Sequence, residues 1–286
     1  MKIVNDGLPQ PLYDAIANDS YSRGEADISV TQLISPPRVV ELLRLHDSEL
    51  EENASDRIYS VLGQGLHTVL ERASKTGLAE ERLFIEVNGW KISGQVDRMD
   101  GTTIIDYKTA STNEMIFGVK AERESQLNCY AHLARLNGYE VKKLEAVFIL
   151  RDWSKVRAAN DPSYPQKQVV VHELPLWSPF EAECFIRDRV TLHQAARVSL
   201  PECSDEERWQ RAGKWAVMKK GAKRAYRLCD WEAEANVLMV SLNATTPGKP
   251  YSVSQRPGEA TRCLHFCSAS TVCSQWAAIS SNTESE

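Results

Sequence analysis

The chain has 286 residues, 42% of them hydrophobic and 26% charged, a balance that supports one substantial core or a core with a small appended module. Its net charge of -5 supplies no global attraction for nucleic acid, so a nucleic-acid role has to rest on a local basic patch. No apolar run approaches the ~20 residues that span a bilayer. The first residues lack the apolar core of a signal peptide, and seven cysteines, an odd number, fit a reducing cytoplasm better than a secreted disulfide framework.

Residues 1–27 are polar and mixed and read as a loosely held arm. Pro37 suits the first turn of a helix running to about His46, and the acidic stretch 47–56 reads as a solvated connection. Apolar residues at Val61, Leu62, Leu66, Val69 and Leu70 predict an amphipathic helix over 58–74, with His67 and Glu71 one turn apart on one face. Strands over 83–87 and 90–96 flank an Asn88-Gly89 turn. A second tight turn at Asp100-Gly101 joins the strand carrying Asp97 to one carrying Asp106 and Lys108. A helix over 122–137, closed near Gly138, sets Gln126 and Tyr130 at i and i+4. Residues 143–150 read as a central strand, 151–168 as a polar loop, 168–174 as a strand and 179–196 as a helix. From residue 201 the character changes: a hairpin over 215–228, a helix from Asp230 to about 240 and a strand over 251–255 make a ββαβ unit. The expected organisation is an arm (1–27), a core (28–200), a basic ββαβ and cysteine module (201–278) and a disordered tail (279–286).

Side chains on a strand alternate, so Asp106 and Lys108 share a face and Tyr107 points away. Ile104-Ile105 mark that strand as buried just where the charges begin, which argues against an ordinary solvated face. The carboxylates of Asp97 and Asp106 with the ammonium of Lys108 make a site for a hard divalent cation and a phosphate ester, and the Tyr107 carbonyl offers a further oxygen. Lys108 is placed to orient a water and to stabilise negative charge developing on phosphorus.

Four pieces then occur in one order: Gly63-Gln64-Gly65-Leu66-His67-Thr68-Val69-Leu70-Glu71, Gly94-x-x-Asp97-Arg98, Asp106-Tyr107-Lys108-Thr109, and Gln126-Leu127-Asn128-Cys129-Tyr130-Ala131. Together they resemble the RecB-type branch of the PD-(D/E)XK nucleases, most closely over residues 63–150. The resemblance implies an α/β, restriction-endonuclease-like core, a mixed sheet flanked by helices, that works with Mg²⁺ or Mn²⁺. It also implies His67 as a nitrogen ligand and supporting places for Gln126 and Tyr130. Glu71 and Glu86 are further acids that could bind or orient a second metal.

Near the C-terminus stands Cys263-x3-Cys267-x5-Cys273, with Cys203 far upstream. This is similar to the CRISPR-associated and AddB-type nucleases, in which one distant cysteine and a C-terminal group of three hold a [4Fe-4S] cluster. Here the distant cysteine follows the nuclease core and the first gap is three residues, so Zn²⁺ and buried thiols without a metal stay open beside the cluster. Cys229 is a substitute candidate for Cys203, while Cys129 and Cys184 sit on predicted helices and read as core.

From Arg208 to Arg227 the chain carries Arg208, Arg211, Lys214, Lys219, Lys220, Lys223, Arg224 and Arg227 with no acid among them. This is the electrostatic footprint a phosphate backbone asks for. Trp209, Trp215 and Tyr226 are interleaved, either to stack bases or to anchor the module. Arg151, Lys155 and Arg157 are a second candidate contact. The expected function is a metal-dependent DNA nuclease, an exonuclease of phage type acting in recombination, repair or replication. Its expected place is the cytoplasm of a bacterium or a phage-infected host cell. No Gly-x-x-x-x-Gly-Lys-Ser/Thr loop is present, so any helicase, single-strand-binding or recombination protein would be a separate partner. The competing readings are a non-catalytic or regulatory DNA-binding protein and a DNA-end-trimming factor working with partner proteins. The oligomeric state is not legible.

Overall fold

The computed structural model describes residues 1–18, 24–73, 77–246, 248 and 250–283. The chain divides into two units, Met1–Pro201 and Glu202–Glu286. The first begins with β1 (Lys2–Val4), α1 (Gln10–Ala17), β2 (Ile28–Ser29), α2 (Val30–Leu33) and α3 (Pro37–Leu45). β3 (Glu51–Asn53) and a short 3-10 turn lead into α4 (Ile58–Ala73). Then come β4 (Leu78–Val87), β5 (Trp90–Asp100), β6 (Thr103–Ala110), α5 (Asn113–Ile116), α6 (Ala121–Leu136) and β7 (Lys143–Leu150). α7 (Lys155–Asn160), β8 (Val169–Leu174) and α8 (Pro179–Val198) complete the unit.

The main sheet runs β2-β5-β6-β7-β8, with β4 also paired to β5. β4, β5 and β6 form an antiparallel meander. Its turns show why these residues were chosen: Asn88 and Gly89 both have positive φ, and Gly101 opens the two-residue connection that pairs Asp100 with Thr103. β6 and β7 are parallel, so the chain has to cross between them, and α6 is on that crossover. β8 returns antiparallel on β7. This is a mixed α/β sheet flanked by helices.

Alternation on β7 buries Leu144, Ala146, Phe148 and Leu150 completely, and Leu127, Leu133 and Ala134 of α6 with Ile186 and Val190 of α8 join the same core. Each large side chain so buried contributes about 1.5–3 kcal/mol. Gly94 sets how closely α6 approaches the sheet. A Cβ there would stand 2.9 Å from the Tyr130 ring and 3.0 Å from Leu133, closer than packed carbons tolerate.

Three stretches differ from the sequence expectation. Within 1–27, β1 pairs in parallel with β3, and the Met1 amino group meets Asp47 at 2.6 Å, so the acidic stretch 47–56 partners the N-terminus rather than merely linking two helices. Residues 19–23 of the expected arm lie outside the described residues. The 151–168 connection carries α7 and is pinned by buried Tyr164 and by Trp153 Nε1 donating to Pro165 O at 2.7 Å. At the C-terminus, α11 (Ser274–Thr283) runs through part of the expected tail, and 284–286 lie outside the described residues.

The second unit consists of β9 (Gln210–Arg211), β10 (Lys214–Lys219), β11 (Arg227–Cys229), α9 (Glu232–Thr245), β12 (Tyr251–Arg256), β13 (Glu259–Ala260), α10 (Thr261–His265) and α11. β10 lies between β11 and β12, both antiparallel to it. Its small core is Val217, Cys229, Ala235 and Tyr251, with Trp215 packed against it. Among the described residues, no helix is long and apolar enough to cross a membrane.

Candidate active site

The β4–β5 ladder is regular from Val87↔Trp90 to Glu81↔Val96 and again at Ala79↔Arg98, but Glu80 and Asp97, opposite each other, do not pair. Glu80 has a φ of 52°, a left-handed conformation that costs a non-glycine residue about 1–3 kcal/mol. The buried positions on β5 are Ile92, Ser93, Gly94 and Val96, and then Met99, so the alternate row through 92, 94 and 96 shifts phase at the same place. β5 and β6 also part here, because their pairing ends at Arg98↔Ile105, one step before Asp97 and Asp106. Both strands thus release their acids from the ladder at a single point.

His67, on α4, meets those acids. Its Nδ1 donates to Glu80 Oε1 at 3.0 Å and lies 3.6 Å from Asp97 Oδ1. Gln95 Nε2 donates to the other Glu80 oxygen at 2.7 Å, and the Tyr107 backbone N–H donates to Asp97 Oδ2 at 2.8 Å. Ligand atoms of His67, Glu80 and Asp97 all lie within 4.8 Å of one another. Asp106, 1% exposed, occupies the buried row of β6 beside Ala146 of β7. Lys108 Nζ donates to its Oδ1 at 2.7 Å. Asp106 Oδ2 is buried with no hydrogen-bond partner, the one such side-chain atom among the described residues.

Electrostatics follow from this crowding. Burial, reinforced by the charge of Asp106, lifts the Asp97 carboxyl to about 7 against the opposing pull of Lys108, His67 and the Tyr107 N–H. The hydrogen bond to Glu80 outweighs burial at His67 and, with the charges of Asp97 and Glu80, holds the imidazole above its ordinary value. Burial pulls Glu80 upward, but hydrogen bonds from His67 and Gln95 outweigh it and keep its carboxyl below the usual range.

The donor set suits a hard divalent cation: carboxylate oxygens for Mg²⁺, with an imidazole that Mn²⁺ accepts more readily. Asp106 is not one of the three residues in that cluster, but its charge is felt at Asp97 and its unpartnered oxygen is one such an ion would satisfy. Glu71 and Glu86 are exposed and outside the cluster; the acid that joins it is Glu80. Glu71 points to solvent although one turn from His67, and Glu86 lies near the Asn88-Gly89 turn, six residues up β4. Gln126 and Tyr130 are buried and bonded to each other, Nε2 to Oη at 2.8 Å, with the Tyr130 ring against Gly94.

In the second unit, Cys263, Cys267 and Cys273 stand within electrostatic reach of one another: burial first, then the other two thiols, raise Cys263. Burial likewise raises Cys267. Cys203 is tied to the start of α11 by Gln275, which accepts from its N–H at 2.8 Å and donates to its carbonyl at 2.9 Å. Cys229 belongs to the small core and is no substitute for Cys203. Among the described residues, the cysteines form no group as tight as that of His67, Glu80 and Asp97.

Flanking acids thin out the basic run. Arg208 pairs with Asp205, Lys214 with Asp230, and Arg227 with Glu234 at 3.2 Å. Lys219 lies over the Tyr251 ring. Arg211, Lys220, Lys223 and Arg224 are exposed. Trp215 packs into the small core and Trp209 against Phe266, whereas Tyr226 meets the Tyr251 ring edge-on and stays 58% exposed.

The family model of the PD-(D/E)XK nuclease superfamily matches residues 38–274. No curated protein sequence matches the chain. A solved structure described as "Crystal structure of SSO0001" is similar to it with a TM-score of 0.46 and 20% identity, over 66% of this chain and 87% of that one. The chain belongs to the PD-(D/E)XK nuclease superfamily.

Proposed function

We propose that the protein is a metal-dependent deoxyribonuclease whose hydrolytic centre is His67, Glu80, Asp97, Asp106 and Lys108. The observation that carries this reading is the buried Asp106 carboxylate, with one oxygen on Lys108, the other unsatisfied, and its charge felt at Asp97. An unpaired buried acceptor costs about 1–3 kcal/mol, more when charged, and a purely structural position has no reason to bear it. A divalent ion there would supply Lewis acidity toward the scissile phosphate and ease the loss of a proton from the attacking water. Asp97, Asp106 and Glu80 would hold it through oxygen and His67 through Nδ1, with the Tyr107 carbonyl as a further oxygen. The Tyr107 N–H fixes the orientation of Asp97. Lys108, anchored on Asp106, aims the water and offsets negative charge at phosphorus. Gln126 and Tyr130 act as positioning residues by seating α6 on the strand that carries Asp97. Arg211, Lys220, Lys223 and Arg224 contact the DNA backbone.

The finer reading is an exonuclease of phage type, acting in recombination, repair or replication beside a helicase, single-strand-binding or recombination protein. It is supported by the resemblance to the RecB-type branch and by the lack of a P-loop. Linear and closed-circular DNA incubated with Mn²⁺, Mg²⁺ or chelator test it. Metal-dependent loss of linear DNA with circles spared is the expected result. Digestion of circles would make the protein an endonuclease, and survival of both forms would sink the proposal.

For Cys203, Cys263, Cys267 and Cys273 the reading is a [4Fe-4S] cluster in preference to Zn²⁺. Its support is the resemblance to nucleases in which one distant cysteine and a C-terminal group of three hold such a cluster, with Cys263, Cys267 and Cys273 within electrostatic reach of one another. Anaerobically purified protein should be brown and contain iron and sulfide in equal amounts, and Cys263→Ser should bleach it. Colourless protein with stoichiometric zinc would overturn the cluster.

A further inference from the structure

Arg151 and Tyr59 form a pair that the hydrolytic centre does not use. Arg151 directly follows Leu150, whose partner on β6 is Ala110. Its backbone N–H donates to Ala110 O at 3.0 Å. The adjoining Asp152 carboxylate accepts from Ser111 Oγ at 2.8 Å, Thr112 N–H at 2.7 Å and Thr112 Oγ1 at 3.2 Å. These bonds fix the corner where β6 and β7 end. From that corner the Arg151 guanidinium lies over the Tyr59 ring, 4.0 Å from its centroid.

Tyr59 sits in the first turn of α4, eight residues before His67, and is 57% exposed. A Cβ on Gly63, between them, would lie 4.0 Å from Thr109 Oγ1 on β6. α4 therefore runs back along β6, with His67 at the carboxylates, Gly63 at Thr109 and Tyr59 at Arg151 just past Ala110. Ala110 is four steps along the strand from Asp106, so the pair lies about 13 Å beyond the carboxylates. Arg151 is exposed, and among the described residues no carboxylate pairs with it. A guanidinium held over a ring loses side-chain freedom but keeps N–H groups for an anion.

We infer that Tyr59 and Arg151 form a phosphate subsite for the strand being cut, gripping a backbone phosphate a few nucleotides from the scissile bond. The inference rests on the carboxylate cluster being the hydrolytic centre. One nucleotide of a B-form strand advances about 3.4 Å, so ~13 Å places the gripped phosphate up to about four nucleotides away.

The test uses full-length wild-type protein, Arg151→Gln, Arg151→Lys, Tyr59→Phe and Tyr59→Leu. Binding of a fluorescent 20-nucleotide DNA is measured by anisotropy in chelator across a salt series. Hydrolysis of bis(4-nitrophenyl) phosphate, too small to reach the subsite, is measured with Mn²⁺. Arg151→Gln should weaken DNA binding roughly 5- to 30-fold and reduce the salt slope by about 1. Arg151→Lys should keep the slope but lose part of the affinity, Tyr59→Phe should bind as wild type, and Tyr59→Leu should weaken binding. Small-diester hydrolysis should be equal in all five proteins. Wild-type affinity and slope in Arg151→Gln, or loss of small-diester hydrolysis in step with DNA binding, would overturn the subsite. If wild type binds DNA but cleaves nothing, the hydrolytic reading falls and takes with it a subsite for the cut strand, leaving Arg151 only as a phosphate contact where Arg151→Gln weakens binding; if wild type cleaves the small diester but binds no DNA, the subsite alone falls.

Discussion

Asp106→Asn is expected to lower metal-dependent cleavage by roughly 10³-fold or more without unfolding the sheet. The substitution keeps shape in a position that is 1% exposed and keeps one oxygen to accept from Lys108. It removes the negative charge and replaces the one buried side-chain oxygen that has no partner among the described residues. Fold should survive, because Ile104 and the β7 residues beside it still fill the core. Lys108→Ala should lose activity to a similar degree, and Lys108→Arg should not restore it, since a planar guanidinium cannot take the place of a compact ammonium. Cleavage and thermal melting are measured together. An Asp106→Asn protein that cuts within tenfold of wild type, with an unchanged melt, would remove Asp106 from the centre.

The second large effect concerns Asp97 and pH. Its carboxyl titrates near 7 in the folded protein, against ~3.9 in an unfolded chain. The folded state therefore binds the proton more tightly, and metal-free stability from this group is complete below pH ~4 and lost as pH rises through 7. His67, raised above its ordinary value, works in the same direction over the upper part of that range. His193, pushed down to about 4 by burial, works the opposite way as pH falls below ~6.5, so wild type alone would blur the effect. Comparison with Asp97→Asn isolates it. In chelator, the variant should gain on the order of 2 kcal/mol over wild type between pH 5 and 8, at about 1.4 kcal/mol per unit. Saturating Mn²⁺ should stabilise only wild type, and increasingly at higher pH, because its ligands must shed their protons to bind. Equal pH slopes for the two proteins in chelator would show that Asp97 is not strained by burial and by Asp106.

Much of the site was readable because its pieces are local. The Asp106-x-Lys108 alternation, the helical His67 and the α6 pair each follow from periods of 2 or 3.6 residues. Gly94 was part of the same pattern, and its physical reason, room for the Tyr130 ring, needed the fold. Glu80 was missed because nothing local marks it: it lies in the charged run Glu80-Glu81-Arg82, ahead of the apolar part of its strand, and takes a left-handed backbone conformation. Spacing from His67 pointed to Glu71 instead, and a helix face shared in sequence proved to be solvent. The β1–β3 pairing joins segments 49 residues apart, beyond any local signal. The basic run contains no acid, yet Asp205, Asp230 and Glu234 just outside it take three of its cations.

The most direct measurement is an anomalous-difference map from a crystal soaked in Mn²⁺. Manganese is expected among His67 Nδ1, Glu80, Asp97 and the second oxygen of Asp106, with Lys108 alongside. Manganese bound elsewhere, with that Asp106 oxygen still without a ligand, would contradict the assignment of the hydrolytic centre.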